Sequence, residues 1–256
     1  MFEYSEKFEK MRIAGNLASK TLDMLTEYIK EGITTDYIDK LGYEFIRDNG
    51  GYSAPLYYRG FKKSLCTSLN HVVCHGIPSD RTLRDGDAVN VDVTAIVNEH
   101  YGDTSRMFSI GKTPIKLNKL IDVTHESMMR AIKILKPGIR LGDIGYEIQS
   151  FVEDQGFSVV RDFCGHGIST TFHEAPNILH YGKKNTGMDL RPGMTFTIEP
   201  MINSGKFYVK MLNDGWTAVT KDKSLSAQFE HTLGITENGY EIFTESAKSY
   251  SKPPYL

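Results

Sequence analysis

One phrase occurs twice in this chain, and the repetition restricts the folds open to it. Leu83-Arg84-Asp85-Gly86-Asp87-Ala88-Val89-Asn90-Val91-Asp92 is echoed by Leu190-Arg191-Pro192-Gly193-Met194-Thr195-Phe196-Thr197-Ile198-Glu199. In each copy a Leu-Arg-x-Gly turn leads into an apolar-alternating strand that ends on an acid. The doubling extends upstream. Gly32-Ile33-Thr34-Thr35-Asp36-Tyr37-Ile38 realigns on Gly138-Ile139-Arg140-Leu141-Gly142-Asp143-Ile144 at an offset of 106, and the strand copies align at 107. Two copies with so long a period indicate two halves related by a pseudo-twofold axis, because a solenoid needs about three or more short units. The halves fall at roughly residues 8–112 and 113–243 of one catalytic domain spanning 1–256, with a tail at 244–256.

Within each half the order is helix, helix, strands. Apolar residues recur at three- and four-residue steps over 8–28, 35–47, 117–135 and 141–154, which predicts amphipathic helices. Thr34 or Thr35 and residues 141–143 supply capping chemistry, and Gly50 and Gly156 stand where helices end. Residues 64–69, 88–96, 107–110, 195–198 and 228–235 alternate as half-buried strands. Helices followed by antiparallel strands predict an α+β fold with helices on one face of a curved sheet. No Pro/Gly/Ser linker separates the halves, so one sheet and one core are expected.

The chain has 256 residues, 40% hydrophobic and 24% charged, enough to bury a full core. A formal charge of -2 and a pI near 6.5 give no electrostatic footprint for nucleic acid or an anionic membrane. The charged N-terminal stretch is not a signal peptide, and no apolar run approaches the roughly 20 residues that cross a bilayer. Cys66, Cys74 and Cys164 form no C-x-x-C pair, so reduced thiols in a soluble cytoplasmic protein are expected, as small buried hydrophobes.

The acids at the strand ends carry the chemistry. Asp92 and Glu199 are each followed by a second acid beside a threonine, Asp103-Thr104 and Glu230-His231-Thr232. Asp92 and Asp103, 11 positions apart, fit a hairpin turning at 97–100, with Glu199 and Glu230 across the pseudo-twofold axis. Four carboxylates exceed what one catalytic ion needs but suit two, because carboxylates bridge. Imidazole adds a second signal: His75-Gly76-Ile77 and His166-Gly167-Ile168 are similar phrases, and His173-Glu174 lies close by. A mixed oxygen and nitrogen donor set accepts several divalent metals. There is no H-E-x-x-H helix, no P-loop and no G-x-S-x-G elbow. A dinuclear hydrolase is the expectation.

The phrases Val73-Cys74-His75-Gly76-Ile77-Pro78, Asn90-Val91-Asp92-Val93, Tyr101-Gly102-Asp103-Thr104-Ser105, Cys164-Gly165-His166-Gly167-Ile168, Phe196-Thr197-Ile198-Glu199-Pro200-Met201 and Gln228-Phe229-Glu230-His231-Thr232 resemble, in order, the type I methionine aminopeptidases of short bacterial form. The resemblance implies the pita-bread fold and two divalent ions (Co, Mn, Fe, Zn or Ni). It implies that Asp92 binds the first ion, Asp103 and Glu230 bridge both, and His166 and Glu199 bind the second. Glu199 would also shuttle a proton, while His75 and His173 contact substrate. It maps a methionine pocket onto Tyr58, Phe61, Cys66, Phe172 and Trp216. Implied partners are nascent proteins with an N-terminal methionine before a small, uncharged residue, through transient ribosome association, with the enzyme a monomer. Two positions depart from the family pattern: Ser169 stands where Gly is usual, and Pro55 where many bacterial members carry Cys. Prolidase and aminopeptidase P share a similar site but carry a further N-terminal domain. A pita-bread module lacking catalysis would lose ligands, and all five are present.

Overall fold

The hairpin expected around residues 97–100 is the spine of the molecule. In the computed structural model, which describes residues 3–255, β4 (Ala88–Val97) pairs with β5 (His100–Ser109) over ten residues each. Asn98 and Glu99 make the two-residue turn at φ of 48° and 62°, as a tight right-twisted hairpin requires.

The other strands are β1 (Tyr52–Ser53), β2 (Cys66–Leu69), β3 (Val72–Cys74), β6 (Ser158–Val159), β7 (Gly165–Gly167), β8 (Glu174–Ile178), β9 (Thr195–Ile198), β10 (Met201–Asn203), β11 (Val209–Met211), β12 (Ala218–Thr220), β13 (Ser226–Gln228), β14 (Glu230–Ile235) and β15 (Tyr240–Ile242). A nine-stranded sheet runs β1-β4-β5-β14-β9-β7-β8, with β2 joined to β4 and β15 to β14. The strands β13-β10-β6 and β11-β12-β3 form two smaller sheets. Both halves therefore supply one sheet, and their seam is β5 against β14.

Four helices appear where the periodicity places them: α1 (Ser5–Leu25), α2 (Thr35–Asp48), α3 (Ile115–Lys133) and α4 (Leu141–Asp154). The Thr34 side chain accepts from the Tyr37 amide at the start of α2. Asp143 does the equivalent for α4 by accepting from the Arg140 amide at 2.9 Å. Gly50 and Gly156 end the helices at φ of 79° and 81°, left-handed positions that favour glycine.

Two expectations need correction. Apolar side chains gather in two principal clusters, each drawn mainly from one half, not in one core. Leu17, Leu22, Leu25, Ile38, Val91 and Phe108 lie in the first, and Leu120, Ile132, Ile148, Phe196 and Leu233 in the second. Each such side chain stabilises the fold by about 1.5–3 kcal/mol. The stretch 228–235 is not one strand either. It breaks at Phe229, with β13 on the smaller sheet and β14 on the main one. Phe229 is buried against the His125 ring, 5.1 Å between centroids. The break turns Glu230 onto the main sheet.

Candidate metal centre and its pocket

Strand register explains the convergence of residues far apart in sequence. Side chains directly opposite each other share a face. Asp92 opposes Cys66 on one side and Ser105 on the other, and Ser105 opposes Glu230. One step beyond the His231–Ile198 pair, Glu230 meets Glu199. The adjacent row on the same face reads Thr94, Asp103, Thr232, Thr197, and continues to His166. The four acids and His166 thus share one face of the sheet.

The same register corrects the symmetry. Asp92 and Glu199 are true counterparts. Asp103 is not the counterpart of Glu230, because Ser105 holds that place. His75 is not the counterpart of His166, because His75 follows β3 on a smaller sheet while His166 lies in β7 of the main one. In the matching position of the first half stands Ser68, paired with Asn90 as His166 is aligned with Thr197.

The ligand-type atoms of Asp103, His166 and Glu230 lie within 4.8 Å of one another. His166 Nε2 is 3.5 Å from Glu199 Oε1 and 3.7 Å from Asp103 Oδ2. Its Nδ1 faces the Gly167 carbonyl at 3.1 Å. A carbonyl only accepts, so the proton sits on Nδ1 and the Nε2 lone pair is turned to the acids. Burial pushes the carboxyls of Asp92, Asp103, Glu199 and Glu230 well above the usual range, and for Asp92, Glu199 and Glu230 neighbouring acids add to it. Burial holds the His166 imidazole down to about 4. Asp92 Oδ1 is buried with no hydrogen-bond partner among the described residues. Buried acids gathered around a bare imidazole nitrogen are what a cation would relieve, so this donor set fits divalent metal.

Hydroxyls and an imidazole brace the candidate ligands. Thr94 donates to Asp103 Oδ1 at 2.6 Å, and Thr197 donates to Glu199 Oε1 at 2.8 Å while accepting from the His166 amide. The Glu199 amide donates to the fully buried His180 at 3.1 Å, and Gln228 reaches Glu199 Oε2 at 3.3 Å. Supporting partners of this kind orient ligands and tune them. Sequence reading missed Thr94, Thr197, His180 and Gln228, because each relation depends on sheet register.

All twelve residues named from the sequence line one cavity of about 410 Å³: Tyr58, Phe61, Cys66, His75, Asp92, Asp103, His166, Phe172, His173, Glu199, Trp216 and Glu230. Phe61 meets Trp216 edge to face at 5.1 Å, and Tyr58 meets Phe172 at 5.0 Å. His173 Nδ1 lies 3.1 Å from the Tyr58 hydroxyl. Burial, and then nearby His166, His75 and Arg59, hold the His173 imidazole down although one side stays open to solvent. Burial alone lowers His75. The thiols are more than core filler, since Cys66, Cys74 and Cys164 all reach the wall. Burial raises all three, with Asp92 next in effect on Cys66 and Glu199 next on Cys74 and Cys164.

Both departures from the family pattern have local explanations. Ser169 donates to Glu174 Oε1 at 2.6 Å across the loop that carries Phe172 and His173. Pro55 lines the cavity and its carbonyl accepts from the Tyr58 amide. A larger open groove of about 810 Å³ lies between α1 and the β14–β15 turn. Its Glu9 and Glu241 are paired with Arg12, and imidazole is absent from its lining.

A sheet shared by two pseudo-symmetric halves, with acids and an imidazole converging on one of its faces, defines a metallopeptidase of the pita-bread type. The profile of metallopeptidase family M24 matches residues 9–237, and the chain belongs to that family. Within it, the chain groups with the methionine aminopeptidases. The methionine aminopeptidase of Rickettsia prowazekii (strain Madrid E) is 54% identical over 98% of both chains. The crystal structure of methionine aminopeptidase from Rickettsia prowazekii superposes with a TM-score of 0.92, covering 93% of this chain and 97% of that one. Prolidase from Pyrococcus furiosus, 24% identical, shares the fold at a TM-score of 0.76, and this chain covers 64% of it. Among the described residues no helix is long and apolar enough to cross a membrane.

Proposed function

We propose that residues 1–256 act as one catalytic unit that removes N-terminal methionine from nascent cytoplasmic proteins whose second residue is small and uncharged. The observation that carries this reading is the buried acid and imidazole cluster opening onto an aromatic, sulfur-lined cavity. Asp92 would hold a first divalent ion, Asp103 and Glu230 would bridge two, and His166 and Glu199 would hold the second, with Co, Mn, Fe, Zn or Ni as candidates. Bound divalent ions would supply an activated water and polarise the scissile carbonyl.

The chain's own groups do the rest. Tyr58, Phe61, Cys66, Phe172 and Trp216 enclose the methionine side chain, since aromatic edges and polarizable sulfur suit a thioether at about 0.3–1.5 kcal/mol per contact. Asp92, in the cavity wall, is an acceptor for the substrate's free amine, which restricts removal to a single residue. Glu199, held at Oε1 by Thr197 and at Oε2 by Gln228, takes the proton of the attacking water. His173 donates a hydrogen bond to the oxyanion as the carbonyl carbon becomes tetrahedral. His75, neutral and edge-on to Phe163 and Trp216, sits beside the departing nitrogen.

Peptides test the proposal. Protein loaded with Mn, Fe or Co should release Met from Met-Ala-Ser and leave Met-Lys-Ser nearly untouched. Failure on Met-Ala-Ser with all three metals refutes the reading. Sedimentation of the pure protein, and of a mixture with ribosomes, tests the expected monomer and its transient ribosome contact.

A further inference from the structure

The geometry points to Tyr58 as a positioning residue that fixes the tautomer and orientation of His173, by donating its hydroxyl hydrogen to His173 Nδ1. The inference rests on the role given to His173 above and deepens it. Only an imidazole with its proton on Nε2 can donate toward the substrate, and in a neutral ring the partner at Nδ1 decides where that proton sits.

The distance between Tyr58 Oη and His173 Nδ1 is 3.1 Å, within hydrogen-bond range. Either atom could in principle donate. Two features favour the phenol. A phenolic O–H is much more acidic than the N–H of neutral imidazole, and an unprotonated ring nitrogen is a stronger acceptor than a phenolic oxygen. The Arg59 guanidinium also lies over the Tyr58 ring, 5.3 Å from its centroid. A cation there stabilises electron density on the ring and strengthens the O–H as a donor.

The loop is built to hold this contact. Tyr58 stands between Tyr57 and Arg59, whose φ values of 67° and 47° place both in the left-handed region. A non-glycine residue there is strained and persists only when its surroundings enforce it. The enforcement is visible: the Tyr57 amide donates to the Phe61 carbonyl at 2.7 Å, Tyr58 to Pro55 at 2.9 Å and Phe61 to Tyr58 at 3.0 Å. On the other side, the His173 ring lies tilted against Phe172 at 4.0 Å and against His166 at 4.3 Å between centroids. Neither neighbour hydrogen-bonds Nδ1, so the proton position is left to Tyr58.

Tyr58→Phe removes the hydroxyl and keeps the ring that would line the methionine pocket. With Met-Ala-Ser we expect kcat to fall about three- to tenfold, part of the usual contribution of one positioned proton donor, with KM within about twofold. A purely packing role would instead leave kcat unchanged or move KM. Nitrogen NMR of zinc-loaded, 15N-histidine-labelled protein reads the tautomer directly, with His173→Gln assigning the signal. In the wild type, His173 Nδ1 should be unprotonated and hydrogen-bonded, and in Tyr58→Phe it should shift toward a free ring nitrogen. A protonated Nδ1 in the wild type, or a signal unmoved by Tyr58→Phe, overturns the inference. The NMR result stands even if the peptide is not cleaved, so the two readings fail separately.

Discussion

Replacing a metal-site acid should stabilise this protein when metal is removed, and Asp103→Asn is the sharpest case. Asp103 and Glu230 offer oxygens within 4.8 Å of each other in a buried site. Two full charges at that separation repel by about 3–4 kcal/mol at an effective dielectric near 20. Part of this is avoided by taking up protons, which burial of the site's carboxyls already favours and, for Asp92, Glu199 and Glu230, the neighbouring acids favour further. The asparagine keeps the Thr94 hydrogen bond through its carbonyl and turns its amide toward Glu230. A gain of about 2–3 kcal/mol at pH 8 corresponds to roughly 5–10 °C in Tm for a chain of this size.

The dependence on pH follows the same logic. Folded-state carboxyl pKa values above the unfolded ones mean that the folded state binds more protons between about pH 4 and 8. Metal-free wild type should therefore lose stability as pH rises through that window, and the advantage of Asp103→Asn should shrink toward pH 5. Thermal melts in chelator at both pH values check this, and Mn or Co should raise the wild-type Tm strongly and the variant's little. If the variant melts below wild type at pH 8 in chelator, the picture of mutually repelling buried acids is wrong.

Two further perturbations probe the frame. Asp23→Ala should cost about 3–5 kcal/mol by urea unfolding, because it strands the buried Arg106 guanidinium, held at 2.6 Å, and removes the acceptor for Ser246; a loss under about 1 kcal/mol would contradict this. Gly102→Ala should cost about 3 kcal/mol or more, or prevent folding, since its Cβ would stand 2.3 Å from the Gly15 amide nitrogen of α1. Soluble protein with an unchanged melt would show that α1 can shift away from β5.

The acids were legible in the sequence because they break a pattern: Asp92 and Glu199 end strands where an apolar residue would continue the alternation. The helices were legible for a similar reason, and α4 has the bounds its periodicity and Asp143 cap imply. Asp103 and Glu230 looked like symmetry mates because both adjoin a threonine. Symmetry acts on strand register instead, and a two-residue step along a strand is invisible until the pairing partner is known. His75 and His166 misled in the same way, through likeness of phrase without likeness of place. Thr197 and His180 gave no local signal, being a strand threonine and a loop histidine until the sheet brings them to Glu199.

On a smaller sheet β3 against β12 joins the halves, and on the main sheet their seam is short. Only Glu230 with Ser105 and His231 with Thr104 pair in register across it. Next to them the Thr232 hydroxyl stands between the strands, accepting from the Asp103 amide at 3.0 Å and donating to its carbonyl at 2.7 Å, while Thr104 donates to the Glu230 carbonyl at 2.7 Å. Asp103 and Glu230 thus face each other across the line where the two halves meet on the main sheet. A cation shared by those two side chains would act as a rivet through that line, so that losing the ion and loosening the main-sheet seam become steps of a single motion. Amide exchange at Asp103 and His231 would then report occupancy of the site from the protein's own backbone.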